Sequence, residues 1–422
     1  MRCFSVLSRH RRSVTRPARY LALLPLLGFF LACNLLAEEM ERDESGLLEQ
    51  SEKLEQLVRT SKSRSSDPEM EEQLRRIACT VSEASCDSLR VYLLNLPGFN
   101  AFVLPNGAIF VQTGLLVRAQ SEAEIAAAIA HEITHYEEQH TLKRIRKQSG
   151  TAATFAVLGA VVGAAGNIAT LGATGAANAS SAAAAADSAA AMLSMMQGFA
   201  ALALLDYSRD QEKEADLKGV SMLRSVGYDP TAAERLWTSY LEEEKSAPRD
   251  DTPLSLLSTH PLPAQRIKYL SEIESEHTEA QIMRDGEILK AIQERRRDWL
   301  LLEMRVLHPQ QFRHLTATQS DLLGLSRGVA NQLSAESWIR HSQKSGLFYG
   351  EKEKAVKEAL EIYEQAHLSD GELSPDGYRE WGMLAKDRDD VATMKLAWGR
   401  YLELSPDAWD ANMIKRRLAK LD

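Results

Sequence analysis

The sequence predicts a mainly α-helical chain with one small β-sheet, an α+β fold, and three observations carry that expectation. Aromatic residues make up only 6% of 422 residues while alanine, the best helix former, is abundant. Apolar residues recur at helical spacing over most of the chain. Between Arg90 and Thr113 the texture changes to short extended runs punctuated by Pro97-Gly98 and Asn106-Gly107.

The first 37 residues read as an export signal. Six arginines and no acidic residue precede or enter the apolar segment Tyr20–Ala32, which is too short to span a bilayer comfortably. Two processing sites compete. Phe30-Leu31-Ala32-Cys33 resembles a lipobox that would place a lipid on Cys33, whereas cleavage after Ala37 would release a chain beginning at Glu38. Either way the formal charge of the remainder falls from −9 to −15. An acidic mature chain argues against nucleic acid as a partner, and the export signal points to a periplasmic location, free or held at the outer membrane. Cys79 and Cys86 would then be an even pair in an oxidising compartment, joined as a disulfide or left as two thiols.

From residue 38 the elements can be justified in order. Leu47, Leu54, Leu57 and Val58 mark an acidic helix, and a second short helix leads to Cys79. Arg90–Leu96 and Phe99–Leu104 are extended, and Asn106-Gly107 turns the chain into a third strand, Ala108–Thr113. An edge strand containing Asn100, Ala101 and Phe102 could bind an extended peptide through added main-chain hydrogen bonds, or could be an ordinary packing sheet.

Ser121 and Glu124 form an S-x-x-E start signal for the next helix, whose Ile125, Ile129 and Ile133 make one apolar stripe. That helix carries His131-Glu132-Ile133-Thr134-His135, the pattern H-E-x-x-H. Two histidines at i and i+4 share a helix face and can grip one metal ion, while Glu132 sits one step round, beside a water that the metal would activate. The histidines lie about 200° from the isoleucine stripe, so they are expected to face a cleft. The bland alternative is a solvated helix that happens to carry two histidines.

A basic patch, Lys143–Lys147, follows. From Ser149 to Leu205 the only charged residue is Asp187. This insert, 149–205, is rich in alanine, glycine, serine and threonine, and reads as packed helices, a flap touching lipid, or a membrane hairpin. Beyond it, Glu212 and Asp216 stand at i and i+4 with Glu214 turned away. Glu212 supplies a third metal ligand and leaves a fourth position open, the arrangement of a catalytic zinc, with Asp216 behind it orienting a ligand imidazole.

Taken together, Asn100-Ala101-Phe102 with Pro105-Asn106-Gly107, His131-Glu132-x-x-His135 with His140, Glu212-x-x-Ala215-Asp216, and Ser258-Thr259-His260-Pro261 with Arg266 occur in order. The chain resembles the zinc metallopeptidase family that contains HtpX and the CAAX prenyl endopeptidases, in its exported, BepA-like branch, over roughly Cys79 to Leu270. The resemblance implies a gluzincin-type domain over 38–275 with one zinc per chain on His131, His135 and Glu212, and Glu132 as general base. It also implies that His260 can approach the metal and restrain activity, and that Arg266 lies near the site; either could stabilise an oxyanion. Gln139 departs from the family pattern, where arginine is common, and the alanine-rich insert is longer than a compact flap needs.

Residues 276–422 are expected to be helical. Asp298–Val306 and Asp321–Gln332 have amphipathic spacing. From Gly350 onward Ala359, Tyr363 and Ala366, then Tyr378, Trp381, Gly382, Ala385, Trp398, Tyr401 and Pro406, approach the tetratricopeptide register, with a plain helical bundle as the alternative.

Three functions follow from these readings. The first is an envelope endopeptidase that degrades misassembled polypeptides. The second is an assembly factor that engages the envelope assembly machinery through the repeat-like region, and the third is a metal-stabilised scaffold.

Overall fold

A computed structural model describes residues 45–147, 207–246, 263–274, 279–321, 323–344, 347–368 and 373–421. The expectations for residues 1–37, Cys33, the insert 149–205 and His260 lie outside the described residues.

A helix over residues 45–60 (α1) is followed by α2, Pro68–Val81, which Asp67 caps by accepting from the Met70 N–H. A disulfide joins Cys79 in α2 to Cys86 in the short turn that follows, with Cα atoms 4.7 Å apart. Three strands come next: β1, Arg90–Leu94; β2, Ala101–Val103; and β3, Ala108–Gln112. The sheet order is β1-β3-β2, with β2 antiparallel and β1 parallel to β3. Gly107 has φ +85° at the β2–β3 turn, and a Cβ there would lie 2.4 Å from the Ser88 carbonyl oxygen. Only glycine fits that turn without displacing backbone.

Side chains alternate across the sheet as strand geometry requires. Val91, Leu93, Ala101, Val103, Ile109 and Val111 join the main core. On the other face Tyr92 stacks on Phe110 and Phe110 on Phe102, and this ladder is covered by Leu54 and Val58 of α1.

The metal-motif helix is the centre of the main core. After α3, Thr113–Arg118, it runs as α4 from Glu122 to Glu137. The Ser121 hydroxyl accepts from the Glu124 N–H at its start, and Glu124 accepts from the Gln120 N–H. α5, His140–Lys147, and α6, Arg209–Ser225, follow in the described chain. Then come α7, Ala232–Lys245, and α8, Pro263–Leu270. The sequence suggested a one-sided stripe on α4, but the helix is buried nearly all round. The isoleucines join the main core, and α6 covers the His131 side. Ala215 and Gly219 make that contact close: a Cβ at Gly219 would sit 3.3 Å from the His131 nitrogen.

The helices then continue as α9, Glu279–Val306; α10, Pro309–Thr318; and α11, Arg327–Ser342. The helix expected over Asp321–Gln332 instead begins at Arg327. Gly324 at φ +60° breaks the preceding turn, and Ser326 caps the new helix by accepting from the Val329 N–H. The last four are α12, Tyr349–Leu368; α13, Pro375–Lys386; α14, Val391–Leu404; and α15, Ala411–Leu418. Among the described residues no helix is long and apolar enough to cross a membrane.

The main core runs on through Ile288, Ile292, Trp299, Leu300, Met304, Phe312 and Leu315 to Leu333, and a second core begins at Ala335. The apolar face of α9 packs against α3 and α4 within this core. Fully buried charges fix the joint: Arg118 lies 2.7 Å from Glu243 and 3.0 Å from Glu303. Glu303 also accepts from the Gly98 N–H at 2.8 Å, tying α9 to the loop that enters β2.

Candidate metal centre

His131 and His135 lie one turn apart on α4, and Glu212 reaches them from the first turn of α6. A complete capping box sets that first turn, with the Ser208 hydroxyl accepting from the Gln211 N–H and the Gln211 side chain accepting from the Ser208 N–H. His131 Nε2 and His135 Nε2 are 3.0 Å apart, and each is 3.5 Å from a Glu212 carboxylate oxygen. All three residues are buried. Two imidazole nitrogens and one carboxylate are the donor set of a catalytic zinc. Ligands about 2.0–2.2 Å from a tetrahedral ion lie about 3.3 Å from one another, so these separations fit such an ion without rearrangement.

Each imidazole is held from behind. Asp216 Oδ1 lies 3.0 Å from His131 Nδ1, which leaves His131 Nε2 facing the other ligands. Burial, then the nearby Arg266 cation, pushes the His131 imidazole below its ordinary pKa, so it is neutral with a lone pair to give. Burial alone would raise the Asp216 carboxyl, but Arg266 and His131 outweigh it and hold Asp216 well below the usual carboxylate range. His135 is packed between the Tyr207 ring, stacked with centroids 3.7 Å apart, and His140, whose Nδ1 is 2.8 Å from His135 Nδ1.

Arg266 lies against the ligand helix. Its guanidinium is buried, grips Asp216 with two nitrogens at 2.5 and 2.8 Å, and lies 2.9 Å from Glu212 Oε2. Its charged carbon sits 3.9 Å above the Trp237 ring. A cation held by two carboxylates and an aromatic face balances the acidic ligand helix. Tyr269 donates to the same Asp216 carboxylate. None of Tyr207, Tyr269 or Trp237 is marked by motif spacing; their roles arise from contacts between distant helices.

Glu132 is buried and lines a cavity of about 30 Å³ with His131, Asp216, Arg266, Phe99, Ala101 and Trp237. Phe99 closes its wall, stacked on Tyr240 at 4.5 Å. Of the three edge residues, Ala101 is therefore the one beside His131 and Glu132. Its neighbour Phe102 instead faces the aromatic ladder.

The sequence profile of peptidase family M48 matches residues 64–274, half of the chain, and takes in every residue of this cluster. The chain belongs to peptidase family M48. Curated relatives agree. It is 32% identical to the mitochondrial metalloendopeptidase OMA1 of Arabidopsis thaliana over 44% of this chain and 31% of that protein. The OMA1 of Schizosaccharomyces pombe is 31% identical over 50% of this chain and 53% of its own length. The beta-barrel assembly-enhancing protease of Escherichia coli K12 is 28% identical over 42% of this chain and 32% of its own. The chain thus spans between about a third and a half of the length of these relatives. Its M48 region holds the histidines, the glutamate and the edge strand in one packed unit.

Proposed function

We propose that this chain is a zinc-dependent endopeptidase of the bacterial cell envelope that cleaves misfolded or misassembled proteins. The observation that carries the reading is the convergence of His131, His135 and Glu212 beside Glu132, next to a strand that is the sheet's edge among the described residues. Bound zinc would polarise a peptide carbonyl and lower the pKa of water toward about 7.

The chain's own groups supply the remainder. Glu132 takes the proton of the attacking water and returns it to the leaving amine. Arg266 and Asp216 hold the ligand helix and the His131 ring in place while charge shifts.

Substrate binding follows from the sheet register. Gln112 donates to the Asn100 carbonyl and Leu104 to the Ala108 carbonyl, so the main-chain groups of Ala101 and Val103 point away from β3. An extended polypeptide could add there as a fourth strand, with its backbone beside Ala101 and its scissile bond at Glu132. Binding through main-chain groups selects for unfolded or accessible segments more than for sequence.

A second reading, an assembly factor working through the repeat-like helices, draws on the names of the assembly-enhancing relatives and on the surface of the second core. There Gly382 packs under Trp398 in the small-on-aromatic pairing of a helical repeat, and Trp409 is 84% exposed. Periplasmic location, with or without a lipid on Cys33, belongs to both readings.

Metal removal tests the proposal. Casein cleavage by the purified mature chain should vanish on treatment with a zinc chelator and return with one equivalent of zinc. Cleavage that survives complete zinc removal would rule the mechanism out.

A further inference from the structure

His140 is buried completely, next to a metal-binding residue, and has no part in the mechanism above. Its Nδ1 lies 2.8 Å from His135 Nδ1, and its Nε2 lies 3.3 Å from Glu214 Oε2. Two facing ring nitrogens of neutral imidazoles can form one hydrogen bond only if one carries the proton and the other does not. With a metal on His135 Nε2, the atom turned toward His131 and Glu212, the lone pair is on Nε2 and the proton on Nδ1. His140 must then accept at Nδ1, carry its own proton on Nε2, and donate that proton's hydrogen bond to Glu214. One arrangement satisfies these three contacts.

We infer that His140, backed by Glu214, is a positioning residue that fixes the tautomer and ring orientation of His135 for metal binding. It does for His135 what Asp216 does for His131, with an imidazole inserted between ligand and carboxylate. The backbone is bent to make this possible. Gln139 has φ +51°, a left-handed conformation uncommon outside glycine, and it reverses the chain between α4 and α5 so that His140 returns beneath His135. The Gln211 side chain then donates to the His140 carbonyl at 3.1 Å. Consequently α6 supplies one ligand, Glu212, and the anchors of both imidazoles, Asp216 and Glu214. Glu214 lies at the surface end of the row, 2.7 Å from Lys218, which also reaches Glu138 at 2.5 Å.

The inference rests on the metallopeptidase reading only in that a metal binds His135. It is tested by zinc affinity, measured by competition with a chromophoric chelator on the full mature chain, with melting of the zinc-free proteins as a control for folding. His140→Phe keeps the ring's bulk and loses both nitrogens; zinc should bind about 10–100-fold more weakly. His140→Asn places an amide oxygen near the Nδ1 position and should recover most of that loss. Equal affinity of parent and Phe variant would overturn the inference, and so would equal weakness of Phe and Asn variants, which would mean that His140 only fills space. If the parent takes up no zinc, both the inference and the metallopeptidase reading fall; zinc binding without cleavage counts against the latter alone.

Should the Phe variant misfold, long-range nitrogen–proton spectra of the histidine-labelled zinc-loaded parent give the answer directly. A proton on Nδ1 of His135 and on Nε2 of His140 is expected, and a proton on Nδ1 of His140 would overturn the assignment.

Discussion

Glu132→Gln is expected to keep one zinc per chain and to lose cleavage of an unfolded substrate by about 10²–10⁴-fold. The side chain is not among the converging ligand atoms, which come from His131, His135 and Glu212, so the metal should stay. Glutamine keeps the shape and a hydrogen-bonding oxygen but cannot take a proton. Because Glu132 is buried, a water entering from bulk cannot easily replace it as a base. Parallel zinc determination and casein cleavage check the prediction. Cleavage retained within a few-fold would mean that another group acts as base. Full complementation of a deletion by the inactive variant would favour the assembly-factor reading of the biological role.

Arg266→Ala is expected to destabilise the zinc-free protein by about 3–5 kcal/mol, the usual cost of leaving buried carboxylates without their cation. Asp216 and Glu212 both lie within 3 Å of the guanidinium, and all three side chains are almost fully buried. Zinc would bring positive charge to the same pair, so the loss should be smaller when the variant is metal-loaded. Arg266→Lys should recover little, because an ammonium cannot grip Asp216 with two nitrogens and reach Glu212 at the same time. Denaturant titrations with and without zinc check these expectations. Unchanged stability of the zinc-free Ala variant would show that the cluster is solvated in solution.

Much of the site can be read from the sequence because its central parts are local. The i, i+4 spacing that puts His131 and His135 on one face needs nothing beyond the helix, and the Ser121 cap and the Asn106-Gly107 turn mark their own elements. What escaped the sequence depends on separation along the chain. Arg266 meets Asp216 across 50 residues, so its spacing could announce nearness to the site but not that its charge is consumed by the ligand helix. The parallel pairing of β1 with β3 is likewise invisible to a hairpin signal, which speaks only for neighbours in sequence.

The burial of α4 on all sides had one available clue. Ala215 and Gly219 recur at i, i+4 on α6, the spacing of a helix that another helix approaches closely. The continuation of the main core to Leu333 had no such clue. An amphipathic α9 states that one face is buried, not which partner buries it.

The central claim is that one metal sits between α4 and α6. Anomalous diffraction at the zinc absorption edge, from crystals of the zinc-loaded mature chain, measures this most directly. One peak is expected, within about 2.3 Å of His131 Nε2, His135 Nε2 and a Glu212 oxygen. No peak there, or a peak bound elsewhere on the chain, would contradict the account.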